Sequence, residues 1–151
     1  MYQTNRTTAL LSYEVAHIQD YLDGFYPGPS GRKRRAWVGS TGEFVVIEAM
    51  PLPDGYHPDE IDLLLLVDNF PSIPPIGIYM LNRGNEHLVR QLKNRFNAFQ
   101  NNAYHDAPAI KNYTWLCYAY ANNRWRYNAS DPRQGDNLRK FLSSFFAEAQ
   151  L

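Results

Sequence analysis

The residue in this chain best equipped for covalent chemistry is Cys117, its only cysteine, in the aromatic stretch Tyr113-Thr114-Trp115-Leu116-Cys117-Tyr118-Ala119-Tyr120. A thiol attacks as its thiolate, so its surroundings decide whether it reacts or packs. A lone cysteine has no internal partner for a disulfide. Four histidines could serve it as a base: His17, His57, His87 and His105. His17 lies beside an apolar helical stripe, where packing or solvation explains it. His57 falls in a turn-rich loop, and His87 starts a surface helix. Only His105, twelve residues before Cys117, is near in sequence. Hydrolases that pair cysteine with histidine place the nucleophile at a helix start, where the helix dipole favours the thiolate. No helix-start signal precedes Cys117, which weighs against that class.

Other chemistries find less support. A metal site needs several imidazole or thiolate ligands in step, and these residues do not supply them, so neither metal nor cofactor is expected. The stretches Ser30-Gly31-Arg32-Lys33-Arg34-Arg35 and Gly39-Ser40-Thr41-Gly42-Glu43 are not followed by helices, which excludes a phosphate-cradling loop. Arg124-Trp125-Arg126-Tyr127 mixes rings with cations and could stack single-stranded nucleic acid. Such platforms usually carry net positive charge, whereas 15 Lys and Arg here balance 15 Asp and Glu. Packing of Trp115, Tyr118 and Trp125 onto the fold is favoured, and no nucleic acid is expected.

Charge is nonetheless uneven. Glu43 to Asp68 holds seven acids and no Lys or Arg, while Arg32-Lys33-Arg34-Arg35 is purely basic. Such a run is either a solvated loop or a docking patch for a partner or nucleic acid. No stretch reads as a signal peptide or a membrane span, so a cytoplasmic protein without membrane contact is expected.

The elements that must position Cys117 follow from periodicity. With 151 residues, the chain suits one domain, 1–151. Leu11, Val15, Ile18, Leu22 and Phe25 predict an amphipathic helix over 8–25. Residues 36–50 predict two strands around Gly39-Ser40-Thr41-Gly42. Ile61–Val67 predicts a strand covered on both faces, and Ile76–Leu81 a fourth, after the break at Asn69–Pro75. Short connections make an antiparallel meander the natural order. Leu88, Leu92, Phe96 and Phe99 predict a helix over 85–101. Residues 102–136 show no sustained period and read as a long irregular segment carrying Cys117. Leu138, Phe141, Leu142, Phe145, Phe146 and Ala149 predict a last helix, capped from Gly135-Asp136-Asn137.

This order resembles the ubiquitin-conjugating enzymes. Phe70-Pro71 and Pro74-Pro75 before an apolar strand are similar to the family's paired-proline segment. Cys117 stands at the position of its thioester cysteine, and Trp125 follows at the family's spacing of eight. Met50-Pro51-Leu52-Pro53-Asp54-Gly55-Tyr56 and Gly135-Asp136-Asn137-Leu138 are similar to bacterial members encoded beside an activating enzyme, a ubiquitin-like protein and a deconjugating protease, as in Bil-type antiphage operons.

The resemblance implies an α+β fold of the ubiquitin-conjugating kind: N-terminal helix, four-stranded antiparallel meander, irregular active-site loop and C-terminal core helix. It implies a transferase that takes a ubiquitin-like protein from an activating enzyme as a thioester on Cys117 and passes it to an amine of a protein target. A non-catalytic scaffold that binds a ubiquitin-like protein is the alternative. The family's first helix and the following loop meet the activating enzyme, which makes Arg32, Lys33, Arg34 and Arg35 candidate contacts. Trp115 and Trp125 are candidate contacts for the carrier tail.

The sequence also departs from the family. Pro108 matches the proline of the family's His-Pro-Asn, but Ala109 replaces its oxyanion asparagine and Asp106-Ala107 precede. Asn112, Asn122 and Asn123 are candidate substitutes. Asp106, Asp131 and Asp136 are candidate proton acceptors, with Asp136 also expected as the helix cap. The helix over 85–101 reads as an insertion.

Overall fold

The computed structural model describes residues 5–25, 27–28, 30–96, 98–100, 107–120 and 124–151. It is an α+β fold with three helices and one antiparallel sheet among these residues. Helix α1 (Asn5–Asp23) precedes strands β1 (Arg35–Val38), β2 (Phe44–Pro51), β3 (Glu60–Leu66) and β4 (Gly77–Leu81). Helix α2 (Glu86–Lys93), strands β5 (Ala98–Gln100) and β6 (Tyr113–Cys117), and helix α3 (Leu138–Glu148) complete it.

The first four strands form the expected meander, but the sheet has six, in the order β1-β2-β3-β4-β6-β5. Two expectations are corrected here. The stretch before Cys117 is a strand: Tyr113 to Cys117 pair residue for residue with Leu81 to Gly77. Its aromatic residues and Thr114 suit a strand, and its middle three residues are buried on both faces, which outweighs the loop reading. The helix expected over 85–101 ends at Lys93, and Ala98–Gln100 turn back to pair with β6. Leu88, Leu92 and Phe96 are nonetheless all buried, because a turn after the helix carries Phe96 to the same core.

The sheet divides two apolar layers. On one face Leu11, Ile18 and Leu22 of α1 and Leu138, Phe141, Leu142 and Phe145 of α3 pack on Ile47, Leu63, Leu65, Ile78, Met80 and Leu116. Each large side chain buried there contributes about 1.5–3 kcal/mol. Phe25 does not join this stripe: it lies past the helix end and is 41% exposed. The other face holds a smaller cluster, Leu66, Tyr79, Ala107 and Trp115, with Cys117, Ile76 and Ile110 packed against it. The central run Leu63–Leu66 therefore feeds both layers, as its unbroken apolar sequence implies.

Two polar devices hold the α1 side. The Gln19 amide donates to the Arg34 carbonyl at 3.0 Å and accepts from the Ala36 N–H at 2.9 Å, occupying part of the open edge of β1. Buried Glu14 reaches from α1 to accept the Leu138 N–H at 2.7 Å, at the start of α3. Burial pushes the Glu14 carboxyl up to about 7, against the opposing pull of that hydrogen bond.

Candidate functional site around Cys117

Cys117 ends β6 opposite Gly77, and the chain then leaves the sheet through Tyr118 and Ala119. Three described side chains anchor the chain on either side of this exit. The Tyr118 ring packs on Phe96, Phe141 and Phe145, and its hydroxyl meets Ser144. Tyr120 donates to Asp136 at 2.7 Å, while the other oxygen of Asp136 accepts the Arg126 N–H at 2.7 Å. Trp125 packs edge-on to Tyr120 and stacks on Tyr127, and its indole N–H donates to the Pro71 carbonyl at 2.8 Å.

The segment 117–119 forms a ridge between two clefts. On one side is an apolar cleft of about 490 Å³, walled by Ser72–Ile76, Tyr120 and Trp125. Four of its wall residues are Pro74, Pro75, Ile73 and Ile76, which present no N–H (the prolines) or no polar side chain to a ligand. On the other side is a cleft of about 340 Å³, lined by Asn94, Arg95, Phe96 and Glu148. Cys117 as a residue is half-buried, at the margin of the smaller apolar cluster. Cys117 thus has access to an apolar surface and to a polar one.

Gly77 is what lets the strands approach here. A methyl group at Gly77 would fall 2.6 Å from Trp115 Nε1 and 2.9 Å from Cε2, and would also meet the Leu116 carbonyl. The site therefore depends on a hydrogen at that position.

The candidate residues scatter once placed. Asn112, at φ 70°, stands at the far end of β6 with its carbonyl held by the Asn82 N–H. It lies five residue steps along the strand from Cys117, about 16 Å, so it does not reach the thiol. Trp115 is 1% exposed and is core rather than a contact surface, because β6 turns it into the smaller apolar layer. Asp131 is exposed in a turn and lines neither cleft. Asp136 is not the helix cap: Asn137 is, accepting the Lys140 N–H at 2.8 Å, which frees Asp136 to hold Tyr120. His105, Asp106, Asn122 and Asn123 lie outside the described residues. Of the remaining histidines, His57 and His87 are exposed and His17 lies by Arg139, and none lines either cleft. Ala107 and Pro108 lie over the sheet, where the Pro108 carbonyl accepts the Tyr79 hydroxyl at 2.7 Å.

Trp125 lines the apolar cleft together with Cys117. The polar residues missed were Asn94, Arg95 and Glu148. Their sequence signal was weak, since each belongs to a helix end that looked like surface.

The basic run is largely tied within the molecule. Arg32 lies 2.9 Å from Asp62 and 3.5 Å from Glu48, and Arg35 3.3 Å from Glu48 and over the Trp37 ring. Arg34 is nearly buried beside Glu60 and donates to the Ala49 carbonyl. Ala49 stands at φ 56° where the β2–β3 register slips, and Asp62 accepts its N–H at 2.9 Å. Arg34 and Asp62 therefore satisfy the backbone of this bulge. Lys33 is exposed and makes no ion pair among the described residues.

Among the described residues no group of three or more His, Cys, Asp or Glu could hold a metal, and no helix is long and apolar enough to cross a membrane. Compared with protein-family models, with curated proteins and with solved structures, the chain finds no match in any of the three.

Proposed function

We propose that the protein is a cysteine thioester carrier of the ubiquitin-conjugating kind, working in a bacterial conjugation system of the antiphage type. The observation that carries this reading is the placement of Cys117: a half-buried cysteine on the rim of an apolar cleft, with no described histidine lining it. The apolar cleft suits an extended carrier tail, shielded by Trp125 and the Pro71–Pro75 turn. Cys117 would exchange with the thioester on an activating enzyme and hold the carrier until an amine of a protein target attacks. One thioester replaces another, so the site's task is orientation and exclusion of water. A strong base beside the thiol would activate water and waste the thioester, which fits two clefts that no described histidine lines.

The departures from the family bear on the second step. Asn94 is the described asparagine that lines a cleft of Cys117, and it replaces Asn112 as the candidate for oxyanion support. Docking of the activating enzyme falls to Lys33 and the outer faces of Arg32 and Arg35 rather than to Arg34, which is committed to the bulge.

The test is direct. Incubated with ATP, an activating enzyme and its ubiquitin-like protein, the chain should gain one partner mass on a non-reducing gel, and thiol should reverse the shift. Cys117→Ser should give a thiol-resistant ester or none. A shift that survives Cys117→Ala and maps to a lysine refutes the carrier role, and a stable, unmodified complex would favour the scaffold.

A further inference from the structure

Glu14 is the buried ionisable group that the carrier chemistry leaves unused, and its surroundings lead to the apolar cleft. One carboxyl oxygen accepts the Leu138 N–H at 2.7 Å, while the other, Oε2, is buried without a hydrogen-bond partner among the described residues. The Tyr127 hydroxyl is buried and unpartnered in the same way. Both groups reach the start of α3. Tyr127 bridges to Asp136, two residues before Leu138, and the Glu14 charge, after burial, helps hold the proton on the Tyr127 hydroxyl. The Tyr127 ring stacks on Trp125 with 6.3 Å between centroids and meets Phe70 edge-on at 4.9 Å. Both contacts run to the cleft. Trp125 is part of its wall, and Phe70 precedes the Pro71 carbonyl that accepts the Trp125 N–H, at the root of the Ser72–Ile76 wall.

We propose that Glu14 positions the Trp125 wall of the apolar cleft through the Tyr127 hydroxyl, and that this wall resets when the Glu14 carboxyl gives its proton to solvent. A neutral carboxyl leaves Tyr127 and Trp125 as described. A carboxylate with a buried, unpaired oxygen is costly, so it draws in whatever donor is free, and the charge-assisted bond it forms is short. The other polar groups around Glu14 are engaged elsewhere. On α1, Tyr13 faces His17, and His17 Nε2 lies 3.4 Å from Arg139 Nη1. On α3, the Arg139 guanidinium lies over the Tyr21 ring, and the Lys140 ammonium donates to the Arg133 and Gly135 carbonyls. In the segment before α3, Arg133 pairs with Asp20, and Asp136 accepts from Tyr120 and the Arg126 N–H. Tyr127 is the donor that remains. Its hydroxyl moves toward α1 and the stacked indole follows, loosening the bond to Pro71 beside Cys117. Burial holds the Glu14 carboxyl up at about 7, which puts the change near neutral pH. The inference rests on the carrier reading only in taking the cleft as the seat of the donor tail.

The experiment watches Trp125 directly. The protein is labelled with 5-fluorotryptophan at Trp37, Trp115 and Trp125, and the Trp125 fluorine resonance is assigned with Trp125→Phe. Between about pH 5 and about pH 9 the wild-type Trp125 resonance should move in one step with a midpoint of about 7, while that of Trp37, on β1, stays. Glu14→Gln keeps the shape of the side chain without its charge and should abolish the step. Tyr127→Phe removes a hydroxyl that has no partner, so it should fold normally, and it should abolish the step too. His17→Gln should leave it. A wild-type resonance that does not move overturns the inference, as does a step that survives Glu14→Gln or Tyr127→Phe or that His17→Gln removes. The second arm charges Cys117 by exchange with a short peptide ending in Gly-Gly as its 2-mercaptoethanesulfonate thioester. The ratio of the wild-type rate to the Glu14→Gln rate should be about one below the midpoint and fall up to about tenfold above it, as a displacement of less than 1 Å at the cleft implies. A ratio that does not change with pH overturns the inference and leaves the carrier reading intact. Failure of both proteins to charge at any pH, here and with activating enzyme, removes the carrier reading, while the fluorine step still upholds the link from Glu14 to Trp125.

Discussion

Replacing Gly77 by Ala tests how tightly β4 and β6 hold Cys117. The added methyl would lie 2.6 Å from Trp115 Nε1, while ordinary contact at such a carbon begins near 3.4 Å, so the indole must retreat by about 0.8 Å. Trp115 is 1% exposed and fills the small apolar layer, and the second obstacle is the Leu116 carbonyl, part of the ladder itself. Overpacking of this kind costs about 1–3 kcal/mol, and two rigid obstacles put Gly77 at the upper end. Removing a glycine from a strand returns roughly 0.5–1 kcal/mol of chain entropy. The expected net loss is therefore about 2 kcal/mol in urea unfolding, with a shift in tryptophan emission. Because Cys117 is the ladder partner of Gly77, a displacement near 1 Å should also slow charging of Cys117 by up to about a hundredfold. Gly84→Ala is the control. Nothing lies within 4 Å of that position, and its φ of 80° leaves only backbone strain, about 1–2 kcal/mol, with charging unchanged. A Gly77→Ala protein that loses less than about 0.5 kcal/mol, or that charges normally, would refute the reasoning.

Three further outcomes follow from the same structure. Glu14 should make the protein lose stability as pH rises: its carboxyl is raised from 4.5 to about 7, so its contribution is complete below about pH 4.5 and is lost on passing through about 7. The loss is on the order of 3 kcal/mol, and Glu14→Gln should remove it, so urea midpoints of the variant at pH 4 and pH 8 that differ as much as those of wild type would refute the burial argument. Arg34→Ser should cost about 3 kcal/mol, since it strands buried Glu60 and the Ala49 carbonyl, whereas Lys33→Ser should cost nothing measurable in the same melt. Cys117→Ala should cost less than about 1 kcal/mol, because the thiol borders open clefts, and a loss of 2 kcal/mol or more would make it a core residue.

What the sequence disclosed depended on how many faces of an element were buried. α1 and α3 each bury one stripe, so Leu11, Ile18 and Leu22 and then Leu138, Phe141 and Phe145 announced them at helical spacing. β6 was hidden because both its faces are covered: Thr114 and Leu116 are as buried as Trp115, leaving no polar alternation to read. The tie of the basic run was illegible for a different reason. Arg32, Arg34 and Arg35 meet Glu48, Glu60 and Asp62 only through the register of β1 on β2 and of β2 on β3, and the acid-rich stretch gave no sign of which residues would face them. At the site, Cys117 and Trp125 stand eight residues apart in the chain and line one cleft, a proximity that order along the chain suggests. Asn94 and Glu148 arrive from two helix ends 54 residues apart, and only packing brings them to one cleft.

The Gln19 amide has a consequence for how this protein behaves in a crowded solution. An open strand edge is a template on which another copy can add by hydrogen bonding, the first step of sheet polymerisation. By giving and accepting one bond each at Arg34 and Ala36, Gln19 imitates the backbone of a next strand and takes the places such a copy would need. The side chain acts as a one-residue chain terminator, discouraging growth of the sheet outward from β1.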